Sequence, residues 1–299
     1  MALASCNSPK SAGENPFFTQ WDTPFGVPPF DKIRAEHFMP AFERGMSLHD
    51  AEIDAITSNN DEPTFENTIL AYDNAGQMLA QTELIFGMLC AAETNERMQA
   101  LQEQVMPLLT AHRDKIRLDE KLFARVKDVY DRRASLGLDA EQSRLLRKTY
   151  DAFVRSGALL DAGQKARLKE INGELSLTAV KFGNNILAEN NNFALELTAD
   201  DLEGLPSGVR DAAREKAQAM GKGDKWVFTL HKPSLIPFLT YSAKRDLREK
   251  IYKAYLNRCN NGDQYDNKQL INDFIRLRTE KAKILTVLLL YRSPYTNSL

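Results

Sequence analysis

Residues 162–198 read AGQKARLKEINGELSLTAVKFGNNILAENNNFALELT. Leu168, Ile171, Leu175, Thr178, Phe182 and Ile186 recur at steps of three or four, so they share one side of a long helix over about 162–187. From residue 191 the period changes. In NFALELT, 192–198, the apolar residues Phe193, Leu195 and Leu197 alternate with others, as in a half-buried strand. A second alternating stretch, KWVFTLH at 225–231, carries Trp226, Phe228 and Leu230. Between them, 208–220 reads as a short polar helix closed by Gly221. The expected unit is a pair of strands with that helix inserted, set in an otherwise helical chain.

Working back from this stretch, residues 33 to about 190 keep the helical period. Phe65, Ile69, Tyr72, Ala75, Leu79, Ile85, Phe86 and Leu89 fall on one face. Met98, Leu101, Val105, Leu108, His112 and Ile116 repeat the pattern, with Pro107 placed to kink or break that helix. Asp119 can cap a helix carrying Leu122, Phe123, Val126 and Val129. Asp139 with Gln142 resembles a capping box. Short polar joins between long helices predict antiparallel neighbours. Residues 15–32 are rich in Pro and aromatics, which predicts an extended arm packed on the helical body; a peptide-binding aromatic patch is the sharper alternative. Working forward, helices resume near Ser242. Leu247, Ile251, Ala254 and Tyr255 line one face, and Leu270, Ile271, Phe274, Leu277 and Leu285 line the last.

The totals suit a soluble globular protein: 299 residues, 43% hydrophobic, 27% charged. A net charge of −2 gives no electrostatic footprint for nucleic acid. The tail TVLLLYRSPYTNSL, 286–299, holds roughly six consecutive apolar residues, against the ~20 a membrane-spanning helix needs.

Chemistry is sparse. The four histidines are His37, His49, His112 and His231, and no two are four apart. Neither HExxH nor its inverted form can therefore be present. His112 sits on the apolar face of its helix and reads as a core or boundary residue. His231 reads as solvent-facing after a strand. GKGDK at 221–225 lacks the spacing of a phosphate loop and reads as a turn. Glu170 and Glu174, beside Arg167, read as a solvated helix face. Arg245, Arg248 and Glu249 read in the same way, with an ion-pair network between helices as the more specific alternative. No catalytic residue and no metal ligand is assigned.

Of the three cysteines, Cys90 lies in an apolar run and Cys259 near a turn, and no CxxC exists. Residues 3–6, LASC, match the pattern that precedes lipid attachment in bacterial lipoproteins. Cys6 is thus a candidate lipid-attachment site, with 1–14 as a tether or signal remnant. Two readings stay open: a signal lies upstream and the chain is a periplasmic or outer-membrane lipoprotein, or the match is chance and the chain is cytoplasmic.

Four segments together carry a resemblance. NPFFTQWDTPFGVPPFDKIRAEHFMPAFERGM (15–46), PTFENTI (63–69), WVFTLHKPSLIPFLTYSAKRDLREKIYKAYLNR (226–258) and DNKQLINDFIRLRTEKAKIL (266–285) stand in the order found in one peptidase family. The chain resembles the N-terminal portion of the zinc metallopeptidases that comprise the peptidyl-dipeptidases, oligopeptidase A and thimet oligopeptidase, with bacterial peptidyl-dipeptidase the nearest type. The resemblance implies a mainly α fold of long antiparallel helices with one small β-hairpin-like insertion. It would be the N-terminal half of a two-lobed, channel-forming peptidase. It implies zinc in full-length members, held by HExxH and a downstream glutamate, and short peptides as substrates. None of those catalytic positions maps onto a residue here, so the expectation is a channel-wall portion without zinc and without activity alone. The alternatives are a non-catalytic helical scaffold that binds peptides or a protein partner, and a complete enzyme of another class. The expected divisions are 1–14, then 15–190 (arm and helical domain), then 191–285 (β element and the start of the next helical region). Residues 286–299 form a non-family tail, attributed to a frameshift, a gene-model artefact or truncation.

Overall fold

A computed structural model describes residues 15–290, the side chains of 286–290 excepted. Cys6 and the segment 1–14 lie outside the described residues, as does 291–299. The fold is mainly α with one two-stranded sheet among the described residues. It divides into two compact units. One contains the described residues up to Leu177 and those from Arg278 on; the other is Thr178–Leu277.

The first unit opens with two short turns of helix at Pro16–Phe18 and Pro24–Gly26, followed by α1 (Ala35–Thr57). Phe17 is buried against Phe38, which lies beside Phe86, with Phe42 against Phe86 in turn. The arm is therefore anchored by Phe17, with Phe18 and Trp21 partly buried beside it, while Phe25 stands fully exposed at a left-handed backbone position. Burying each such phenylalanine stabilises by roughly 1.5–3 kcal/mol.

The face expected to run unbroken over 65–89 is interrupted. Residues Phe65–Leu70 form a π-helical turn, α2 is only Ala71–Asn74, and α3 (Gln77–Ala92) starts afresh. Between them Gly76 has φ +75°, a conformation that costs glycine nothing and ends the helical path. α4 (Glu96–Arg117) continues past Pro107 without a break. Val105 and Leu109, buried on either side, hold both halves in one core. Leu109 rather than the expected Leu108 faces that core, and Leu108 is exposed.

α5 (Glu120–Asp131) and α6 (Ala140–Arg155) carry the caps read from sequence. Asp119 accepts from Leu122 N at 2.7 Å, and Asp139 and Gln142 form the reciprocal box. Their apolar faces meet around Leu122, Val126, Leu146 and Phe153, all essentially free of solvent.

α7 is Ala162–Asn192. In its first part Leu168 packs with Leu118, Leu160 and the Ile284–Leu285 end of the last helix. Arg167 there pairs with Glu170, Glu174 and both carboxylate oxygens of Glu280. The acidic face taken as merely solvated is thus part of a link between two helices.

In the second unit β1 (Leu195–Leu197) and β2 (Trp226–Phe228) are antiparallel, with Leu195 opposite Phe228 and Leu197 opposite Trp226. α8 (Ser207–Ala219) lies between them in sequence, followed by Gly221 at φ +69° and the turn at 221–225. α9 (Lys232–Tyr241) is an addition to the sequence reading. Pro233 occupies its first turn, where no backbone donor is missed, and His231 precedes it, exposed. α10 is Arg245–Leu256. Arg248 donates to the Ser242 carbonyl, and Glu249 pairs with Lys253 of its own helix. Phe228, Phe238, Leu195, Leu197 and Ile251 make this unit's core. α11 (Lys268–Leu290) continues helically past Leu285, where the sequence reading placed the end of the regular pattern. Ile271, expected on its apolar face, is exposed.

Candidate functional site

Among the described residues no group of three or more His, Cys, Asp or Glu side chains converges to hold a metal ion. No helix of the described residues is long and apolar enough to cross a membrane. Two other constructions stand out, one in each unit.

In the first unit, two of the four histidines meet. α1 and α4 each place one histidine inward, and His112 Nε2 lies 3.1 Å from His49 Nδ1. His112 is buried and its other nitrogen faces Asp50 at 3.6 Å. Burial holds both imidazoles below their ordinary value. For His49 the neighbouring His112 adds to this; for His112 the carboxylate of Asp50 opposes it. The pair can share one hydrogen bond. It supplies two nitrogen donors and no third ligand, which is short of a structural zinc site.

In the second unit, a hollow of about 320 Å³ opens between α7, α10 and α11. Phe182, Ile186, Tyr255 and Ile271 give it apolar walls, and Arg258 and Lys268 add charge. Its frame is polar and buried. Asn267 caps α11, accepts from Asn185 Nδ2 at 2.8 Å and donates to the Phe182 carbonyl at 3.2 Å. The Asn267 backbone N–H donates to the Cys259 carbonyl at 2.8 Å. Cys259, at φ +55°, donates its own N–H to Glu189. Burial first, and then the Glu189 charge, push its thiol up to about 11, so at neutral pH it is no nucleophile. Arg258 lies over the Tyr255 ring, 3.9 Å from its centre, and donates to Asn190 at 3.1 Å. The hollow thus combines apolar walls with a polar frame whose named groups bond to one another.

Cys90, half-buried, packs against the core of α1, α3 and α4, as its apolar setting suggested.

No family model matches the chain. Its similarity to curated proteins is extensive. It is 36% identical to dipeptidyl carboxypeptidase of Escherichia coli (strain K12) over 272 residues, 91% of this chain and 40% of that protein. It is 26% identical to oligopeptidase A of the same strain, over 88% of this chain and 39% of the relative. It is 26% identical to the organellar oligopeptidase A of Arabidopsis thaliana, over 95% and 36%. The chain thus spans about 40% of the length of the relatives it matches. With 91% of its sequence aligned to the first of these and a helical fold with one small sheet, the chain belongs to the family of peptidases that includes dipeptidyl carboxypeptidase and oligopeptidase A.

Proposed function

We propose that this chain is the N-terminal, channel-wall portion of a zinc-dependent peptidyl-dipeptidase that cleaves short peptides. The observation that carries the reading is the 36% identity maintained over 91% of the chain with a dipeptidyl carboxypeptidase. The described residues do not fit the zinc that the family's chemistry needs: they offer a histidine pair and no third ligand. No hydrolytic step is assigned to any of them, and the proposal is that the chain alone does not hydrolyse peptides. Its part in the reaction is to bind and confine. The hollow framed by Asn267 and Arg258 is the surface we assign to peptide contact.

Exposed apolar residues support a wall that serves a larger body. Tyr252 and Leu256 on α10, and Ile271 and Ile275 on α11, each form a pair one helical turn apart, half or more exposed in most cases. A self-sufficient scaffold, the rival reading, would gain nothing by leaving these pairs in water.

The test is a fluorescence-quenched peptide incubated with the purified chain and zinc. No hydrolysis is expected, with binding of a hydrophobic dye and concentration-dependent association. Chelator-sensitive hydrolysis would overturn the proposal. A dye-silent monomer would favour the scaffold.

A further inference from the structure

The histidine pair of the first unit is unused by a peptide-binding wall, and its geometry sets a limit on protons. Every charged group around it is already engaged. On α1, Asp50 pairs with Lys115 of α4 at 2.8 Å and only then faces His112. Glu52, also on α1, accepts the Gly76 backbone N–H at 2.7 Å. Glu83 of α3 pairs with Arg113 of α4. Gly76 also lies close to the Nδ1 side of the His49 ring, where an added Cβ would lie 2.8 Å from Nδ1.

With both rings neutral, one N–H donates to the other ring's lone pair across 3.1 Å. One extra proton is tolerable. His112 then carries it, keeps Asp50 opposite Nδ1, and donates Nε2–H to the lone pair on His49 Nδ1. A second proton on Nδ1 has no place, because two N–H groups would then point at each other across 3.1 Å; the nearby charges of Glu52, Asp50 and Glu83 favour the proton but do not remove that opposition. We propose that His49 and His112 form a proton-sensitive clasp that ties α1 and the Gly76 turn to α4 in neutral solution and is forced open when both rings are protonated.

The sign follows from proton counting. The unfolded chain binds two protons at these residues below the ordinary histidine range, about pH 6.5, and the clasped form at most one. Stability is therefore full above that range and is lost as pH falls through it. The lowered position of both rings agrees with this direction.

Two measurements on the whole chain test the clasp. In an NMR titration of the histidine rings, His49 and His112 should titrate in two separated steps, the second below the range of free histidine. In urea unfolding between pH 7.5 and 5, the unfolding constant should rise by up to about tenfold per pH unit where one proton separates the states. The H49N/H112Q variant keeps a donor and an acceptor but takes up no proton, and should lose that rise. Rings that titrate together at or above the free-histidine range would overturn the proposal. So would an identical pH slope in the variant and the parent. Should the variant not fold, the titration of the parent chain decides alone.

Discussion

Replacing Asn267 by alanine tests how the frame of the second unit is held. Asn267 is almost wholly buried, and its side chain makes two hydrogen bonds to α7. Its oxygen receives the Asn185 amide at 2.8 Å, and its nitrogen reaches the Phe182 carbonyl at 3.2 Å. Two lost bonds account for about 1 kcal/mol each, and the Asn185 amide, itself buried, is stranded at a further ~1–3 kcal/mol. Some relaxation offsets the total, so Asn267→Ala should destabilise the unit by roughly 2–4 kcal/mol in urea unfolding followed by circular dichroism. The attribution is checked by a cycle with Asn185→Ala. The double variant should cost less than the sum of the singles by ~0.5–3 kcal/mol, because removing both partners leaves no orphan. The same substitution should weaken peptide binding to the hollow, which Asn267 lines. A cost below about 1 kcal/mol for the single change, or strict additivity in the cycle, would refute the reasoning.

Two further outcomes are expected. Phe153→Ala removes a fully buried ring that packs against Tyr72 and Phe123 and lies under Arg117, so it should cost about 3–5 kcal/mol in the same unfolding experiment. Cys259, buried and with its thiol pushed up to about 11, should resist iodoacetamide at pH 7.5 in native protein. It should react after denaturation, with modification located by peptide mass spectrometry; prompt native labelling would contradict its placement.

The features legible in the sequence share one property: their signals are local. Asp119 and Asp139 cap helices through groups three residues away, so the code and the contact lie within one turn. The strands were legible because Phe193, Leu195 and Leu197, and then Trp226 and Phe228, alternate within a few residues, and their pairing is the simplest closure for two such segments. Local reading fails where a single residue overrides a pattern. Gly76 lies between well-spaced apolar residues, so the 65–89 face looked continuous although one left-handed residue divides it. α9 was hidden in the opposite way. Pro233 and Pro237 argue against helix by composition, yet one sits in the first turn and only the other displaces an interior donor.

Long-range partners are the harder class, because periodicity tells which face a side chain occupies and not what meets it there. Arg167 and Glu280 are 113 residues apart, and nothing in the KARLKE stretch around Arg167 announces a carboxylate from α11. The histidine pair lay closer to reach. His112 was visible on the apolar face of α4. His49 stands four residues after Gly45, seven after Phe42 and four before Ile53, all three buried, so it occupies the inward stripe of α1 as well. Two neighbouring amphipathic helices, each with one histidine on its buried stripe, must satisfy both rings or leave polar atoms stranded, and pairing the rings is the least costly solution. The sequence reading did not draw that inference. What it lacked was the proof that α1 and α4 are neighbours in space, and the packing of Phe42, Val105 and Leu109 in a common core provides it.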